Sequence, residues 1–149
     1  MTLTLLTPRL ASAACLAVSL LMATPVRAAG ELVVIVSAKN PLAALRAEQV
    51  ADIFLGQVGH FPDGVEAVAL DQSIGSAIRD EFYSKVAAKS PPLVKAYWTK
   101  MIFTGRGQPP REMPSSTAIR KLVADNPNLI GYIDKAALDA SVKAVLVVH

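Results

Sequence analysis

Cysteine is almost missing from this 149-residue chain: the single one, Cys15, lies inside an apolar stretch near the N-terminus. No disulfide can brace the residues that follow, although an exported protein could have used one. Histidine is nearly as scarce. His60 and the terminal His149 are the two examples, and neither has a second ligand at helical or loop spacing. A zinc site needs three or four such ligands, so no metal is expected. The serines include no G-x-S-x-G elbow, and no P-loop or G-x-G-x-x-G follows an apolar run. His60 is the one internal base of the usual catalytic kind, and beside Phe61 in a turn-rich stretch it reads as a surface residue. With no base–nucleophile pair in view, no enzyme is expected. Charge is sparse too, at 18% of residues with no dense basic block, which argues against nucleic acid as a partner.

Long apolar runs are limited to one. Arg9 precedes an apolar stretch from Leu10 to Met22 that is short for a membrane span. Ala23-Thr-Pro-Val-Arg-Ala-Ala29 follows, with Val26 and Ala28 in the −3 and −1 places of a small-residue cleavage site. Residues 1–28 are therefore expected to be a secretory signal peptide, and residues 29–149 a single periplasmic domain. Ser12-Ala-Ala-Cys15 is a poor match to a lipoprotein box, so no lipid anchor is expected. Loss of Arg9 and Arg27 would bring the formal net charge of +3 close to neutral. The mature chain is expected to be soluble, and monomeric or weakly dimeric.

Leu32-Val-Val-Ile-Val36 is an unbroken apolar run, as in a strand buried on both faces. A helix is expected through Phe54, stopped at Gly56. Gly59 to Gly64 is a turn, and Val65 to Leu70 a second strand. A helix from Ala77 to Ala88 carries Ile78, Phe82 and Val86 at four-residue spacing. Ser90-Pro91 opens a third helix. On it Tyr97, Trp98 and Phe103 are expected to be core. Residues 106–114, with Arg106 and Arg111 flanking Gly and Pro, read as a solvated loop. A helix through Ala124 and strands at Leu129–Ile133 and Val142–Val148 complete the chain. Strands alternating with helices predict an α/β fold: a three-layer sandwich with a mostly parallel sheet of about four strands.

One stretch points to a ligand. In Asp71-Gln-Ser-Ile-Gly-Ser-Ala-Ile-Arg79, a strand turns directly into a helix N-terminus. Unpaired N–H groups and the positive end of the helix dipole meet there, and Arg79 lies one turn further on. A small oxyanion fits such a place; so does the plainer alternative of a capped helix with a solvated arginine. Ligands in α/β sheets sit beyond the carboxyl ends of the strands. If the sheet is parallel, Ser37 and Asn40 face Ser73 and Ser76 across a shallow mouth. The candidate ligand-binding residues are thus Ser37, Asn40, Ser73, Gly75, Ser76 and Arg79.

The order of features resembles the phosphate-binding substrate-binding proteins of ABC transporters, which have the type 2 periplasmic-binding fold. Val50-Ala-Asp-Ile-Phe-Leu-Gly56 is similar to their "IF-x-G" helix end, and Phe61-Pro-Asp-Gly64 to their "W-x-dG" loop, with Phe for Trp. Asp71 to Ser76 with Phe82 resembles their "R-x-d-x-SGT…F" phosphate loop. Here Leu70 stands in place of the arginine and Ser76 in place of the threonine. Leu129-Ile-Gly-Tyr-Ile133 resembles their "IGYV" strand. Full receptors have two lobes, whereas this chain resembles a short, single-domain branch. The resemblance implies one lobe of that fold and a non-enzymatic periplasmic module that binds phosphate or a similar oxyanion in ABC-type uptake. The alternative is a ligand-free structural or signalling module, contacting a membrane sensor or receptor through the 106–114 loop and exposed aromatics.

Overall fold

A computed structural model describes residues 30–149. The signal peptide expected over residues 1–28, with Cys15 and its cleavage site, lies outside the described residues.

Strand β1 (Leu32–Ser37) is the apolar run, and all of it is buried. Its alternation explains why. Leu32, Val34 and Val36 enter one core, while Val33 and Ile35 enter a second on the other face of the sheet. Helix α1 (Ala47–Phe54) buries Val50, Ile53 and Phe54 against the first core. Residues 59–67 double back as a tight turn, with Phe61 N–H donating to Val65 O. Strand β2 (Val68–Gln72) therefore starts later than the apolar run suggests. Helices α2 (Ala77–Ala87) and α3 (Pro91–Phe103) follow it on the α1 side. A short strand β3 (Arg111–Met113) leads into helix α4 (Ser116–Asp125). The Ser115 hydroxyl caps α4 by accepting from Ala118 N–H. Strand β4 (Leu129–Asp134), a 3₁₀ turn (Lys135–Ala137) and strand β5 (Val142–Val148) end the chain.

The sheet has the order β3-β2-β4-β1-β5. It is the expected α/β sandwich, with α1, α2 and α3 on one face and α4 on the other. Two details differ from expectation. There are five strands, because three residues of the stretch read as loop pair with Leu70, Asp71 and Gln72 as β3. Prolines on both sides and exposed side chains hide so short an edge strand in the sequence. Also, β1 pairs antiparallel with both β4 and β5, while β2 is parallel to β3 and β4. Four strands thus share a direction and β1, between β4 and β5, opposes them.

An aromatic cluster joins α1, α2 and the sheet. Phe82 stacks on Tyr132 with centroids 3.8 Å apart, and Phe54 meets both edge-on at 4.8 and 5.6 Å. Of the three aromatics expected in the α3 core, Trp98 is buried and Tyr97 half-buried, but Phe103 is 92% exposed. At about 100° per residue, Phe103 falls roughly 140° round the helix from Trp98 and points to solvent.

On the other face, α4 lies close to β4 because residue 131 is glycine. A Cβ there would collide with Cγ2 of the buried Ile119. Gly131→Ala is expected to destabilise the fold by about 1–3 kcal/mol through overpacking. Chemical denaturation of the two proteins measures this.

Candidate functional site

The carboxyl ends of β2, β3 and β4 lie together, and α2 and α4 begin beside them. Gln72 Nε2 donates to Ser116 Oγ and to Tyr132 O, and Ser116 Oγ also accepts from Asp134 N–H. These bonds fix the start of α4 to the strand ends.

From β2 the chain enters the 73–76 loop. Gly75 has φ +85°, a conformation that glycine adopts without strain, and Ser76 is the N-cap of α2. The Ser76 hydroxyl does not cap; it donates to Ser73 O at 2.7 Å, and the Ser73 hydroxyl donates to Met113 O at 3.3 Å. Ile74 N–H donates to the carboxylate of Glu112 on β3 at 2.7 Å. The loop therefore already receives one anionic oxygen from its own chain. The N–H groups of Ala77, Ile78 and Arg79, in the first turn, have no acceptor four residues back within the helix.

Below the loop is a buried polar cluster. Asp71 is 1% exposed and accepts from Arg79 Nε at 3.2 Å, Tyr83 OH at 2.8 Å and Gln72 N–H at 2.9 Å, and also from Tyr132 OH. Burial, and after it the charge of Asp71, pushes both tyrosines far above the ordinary phenol range. Burial works against the Arg79 charge, but the facing Asp71 outweighs it and Arg79 is held above its ordinary value. The bond to Asp71 uses Nε. The two terminal nitrogens of Arg79 have no partner among the described residues, and they are not sealed from solvent. Arg79 is 7% exposed, and it lines a groove of about 650 Å³ between the start of α2 and the length of α3.

The six expected residues do not form one site. Ser73, Gly75, Ser76 and Arg79 stand together at this end. Ser37 and Asn40 do not, and this corrects the shared mouth expected for a parallel sheet. Val36 of β1 and Ala69 of β2 both pair with Ile130, but β1 runs the opposite way, so Ser37 leaves the far end of the sheet. There the Ser37 hydroxyl donates to Ala124 O, Asn40 Nδ2 donates to Pro127 O, and Asn40 Oδ1 accepts from Leu42 N–H. Both residues pin the 124–127 turn. Among the described residues no group of three or more His, Cys, Asp or Glu could hold a metal. No helix there is long and apolar enough to cross a membrane.

No family model and no curated protein matches the chain in sequence. Solved structures do. One is from Clostridium perfringens, assigned as a phosphate ABC transporter substrate-binding protein and solved with bound phosphate. It is 28% identical at TM-score 0.61, over 78% of this chain and 44% of that one. An ABC-type phosphate transport receptor from Vibrio cholerae is 22% identical at TM-score 0.62, over 78% and 45%. PstS from Borrelia burgdorferi is 13% identical at TM-score 0.56, over 78% and 46%. This chain has the fold of one receptor lobe. It spans less than half the length of these proteins.

Several residues at this end of the sheet carry no signal in the sequence. Asp71 lies in the stretch that resembles a phosphate loop, but its burial against Arg79 leaves no local trace; eight residues separate a strand end from a helix turn, and no local period links them. Glu112 belongs to the unrecognised edge strand. Lys95, Trp98 and Ile102 line the groove from α3, whose spacing gave a core face and no hint of a second wall.

The tyrosines make stability pH-dependent. Their folded pKa values lie above the unfolded one, so their contribution is complete below about pH 10 and declines above it, by about 1.4 kcal/mol per pH unit for each. The melting temperature is expected to fall steeply above about pH 10, and less steeply in Tyr83→Phe. Asp71→Ala strands the buried Arg79 charge and is expected to cost about 3–5 kcal/mol near neutral pH. Thermal melts against pH check both.

Proposed function

We propose that this is a non-enzymatic solute-binding module of the periplasm, that its ligand is phosphate or a similar oxyanion, and that it serves ABC-type phosphate uptake. The observation that carries this reading is Arg79. Asp71 and the Tyr83 ring fix its orientation, its terminal nitrogens have no hydrogen-bond partner among the described residues, and the residue lines a groove beside the first turn of α2. A planar guanidinium held in this way suits an oxyanion, and the helix N–H groups add donors without requiring net charge. Ser73, Gly75 and Ser76 complete the set. The serine hydroxyls would turn from Met113 O and Ser73 O toward the ligand, and Gly75 lets it approach the backbone. A phosphate would also meet Glu112, whose carboxylate it would have to displace from Ile74 N–H or share that end with.

The ligand-free alternative keeps one observation in its favour. Phe103 and Leu93 on α3 and Ile74 in the 73–76 loop are 92%, 55% and 70% exposed, large apolar side chains that a partner could cover.

Calorimetry and thermal melts with inorganic phosphate separate the two. Phosphate at a hundred times its dissociation constant is expected to add about 2.7 kcal/mol of stability. Arg79→Lys keeps a charge toward Asp71 but loses the fork, and is expected to weaken binding by roughly ten- to hundred-fold. If millimolar phosphate leaves the melting curve and the heat signal unmoved, the ligand-free module is the right reading.

A further inference from the structure

The groove above Arg79 is much larger than the proposed ligand head. At about 650 Å³ it has room for some twenty waters at about 30 Å³ each, and lies within the roughly 300–1,000 Å³ of sites for small organic molecules. Gly75, Arg79 and Asp80 enter from α2 and its loop and make that end polar. The α3 wall is mainly apolar, with Pro91, Pro92, Trp98 and Ile102 beside Thr99, and Pro109 also lines the space. Lys95 provides a second cation along the same wall. Trp98 is 5% exposed, and its indole N–H is buried beside the Tyr83 hydroxyl, so the residue meets the groove with its ring. A bare phosphate would engage the polar end and leave the apolar wall wet.

We infer that the ligand is an organic oxyanion, such as a phosphate monoester with an aromatic or branched aliphatic body: the anionic head meets Arg79 and the first turn of α2, and the body covers Pro92, Trp98 and Ile102. This rests on the anion site proposed above and specifies what else that site holds. The charge pattern agrees. Arg79 faces Asp71 and Lys95 shares the groove with Asp80, so the site is close to neutral, and apolar contact must supply affinity that net charge does not.

The test compares inorganic phosphate, phenyl phosphate and phenol on the full chain, by calorimetry and by emission of Trp98, the chain's single tryptophan. Phenyl phosphate is expected to bind at least about tenfold more tightly than inorganic phosphate, and to shift the emission where phosphate shifts it little. Ile102→Asn, at an exposed position that leaves the core intact, is expected to remove most of that tenfold advantage and to leave phosphate affinity unchanged. Equal affinity for phosphate and phenyl phosphate overturns this inference while the anion site stands. Phenol binding as tightly as phenyl phosphate overturns it as well, because the head would then contribute nothing. If neither phosphate nor phenyl phosphate binds, the anion site falls and the inference falls with it.

Discussion

A carboxylate buried at a strand end needs several donors, and Asp71 collects them from three elements: Arg79 and Tyr83 on α2, Tyr132 on β4 and the Gln72 N–H on its own strand. An unpaired charge there would be worth several kcal/mol against folding. Satisfying it sets the rotation of α2 over the sheet and stacks Phe82 on Tyr132. It also fixes Arg79 by one nitrogen, with the guanidinium over the Tyr83 ring and the other two nitrogens without a hydrogen-bond partner among the described residues. On the proposed function, the same contact that lets the core close would prepare the surface that faces a ligand, and stability and recognition would share one residue pair.

The direction of β1 decides which candidates can cooperate. Its buried, two-faced character was plain from Leu32 to Val36, since an unbroken apolar run fits little else. Its direction was not, because thirty residues of turn and helix between β1 and β2 allow either sense. An alternating strand–helix pattern suggests parallel neighbours, and four strands do run one way. The odd strand sends Ser37 and Asn40 to the far end, where they hold a turn instead of a ligand. The 73–76 loop, in contrast, was legible because strand, glycine, serine and helix follow one another without a break. The groove was not. It exists between α2 and α3, and no local signal announces that Pro92, Trp98 and Ile102 form the second wall of a space whose first wall begins at Gly75.

The likeness to phosphate receptors covers one lobe. In the proteins it matches, this lobe accounts for less than half of the chain. Here α3 is exposed on its outer side, and the groove runs along it. An open, nearly neutral site with an apolar wall is suited to modest affinity and to a ligand with a body as well as a charge. Glu112, already bonded to Ile74 N–H, lies across the end where the head would sit. On the proposed function it would set a threshold for an incoming anion.

The central claim is that one cluster, from Gly75 to Arg79, binds the anion, and that the opposite sheet end does not. Titrating inorganic phosphate into isotope-labelled protein and following amide and arginine side-chain resonances addresses it most directly. The account predicts saturable shifts at Gly75, Ala77, Ile78 and the Arg79 guanidinium, with Ser37, Asn40 and Leu42 unmoved. Shifts centred on residues 37–42, or none at Arg79 when phosphate saturates, would contradict it.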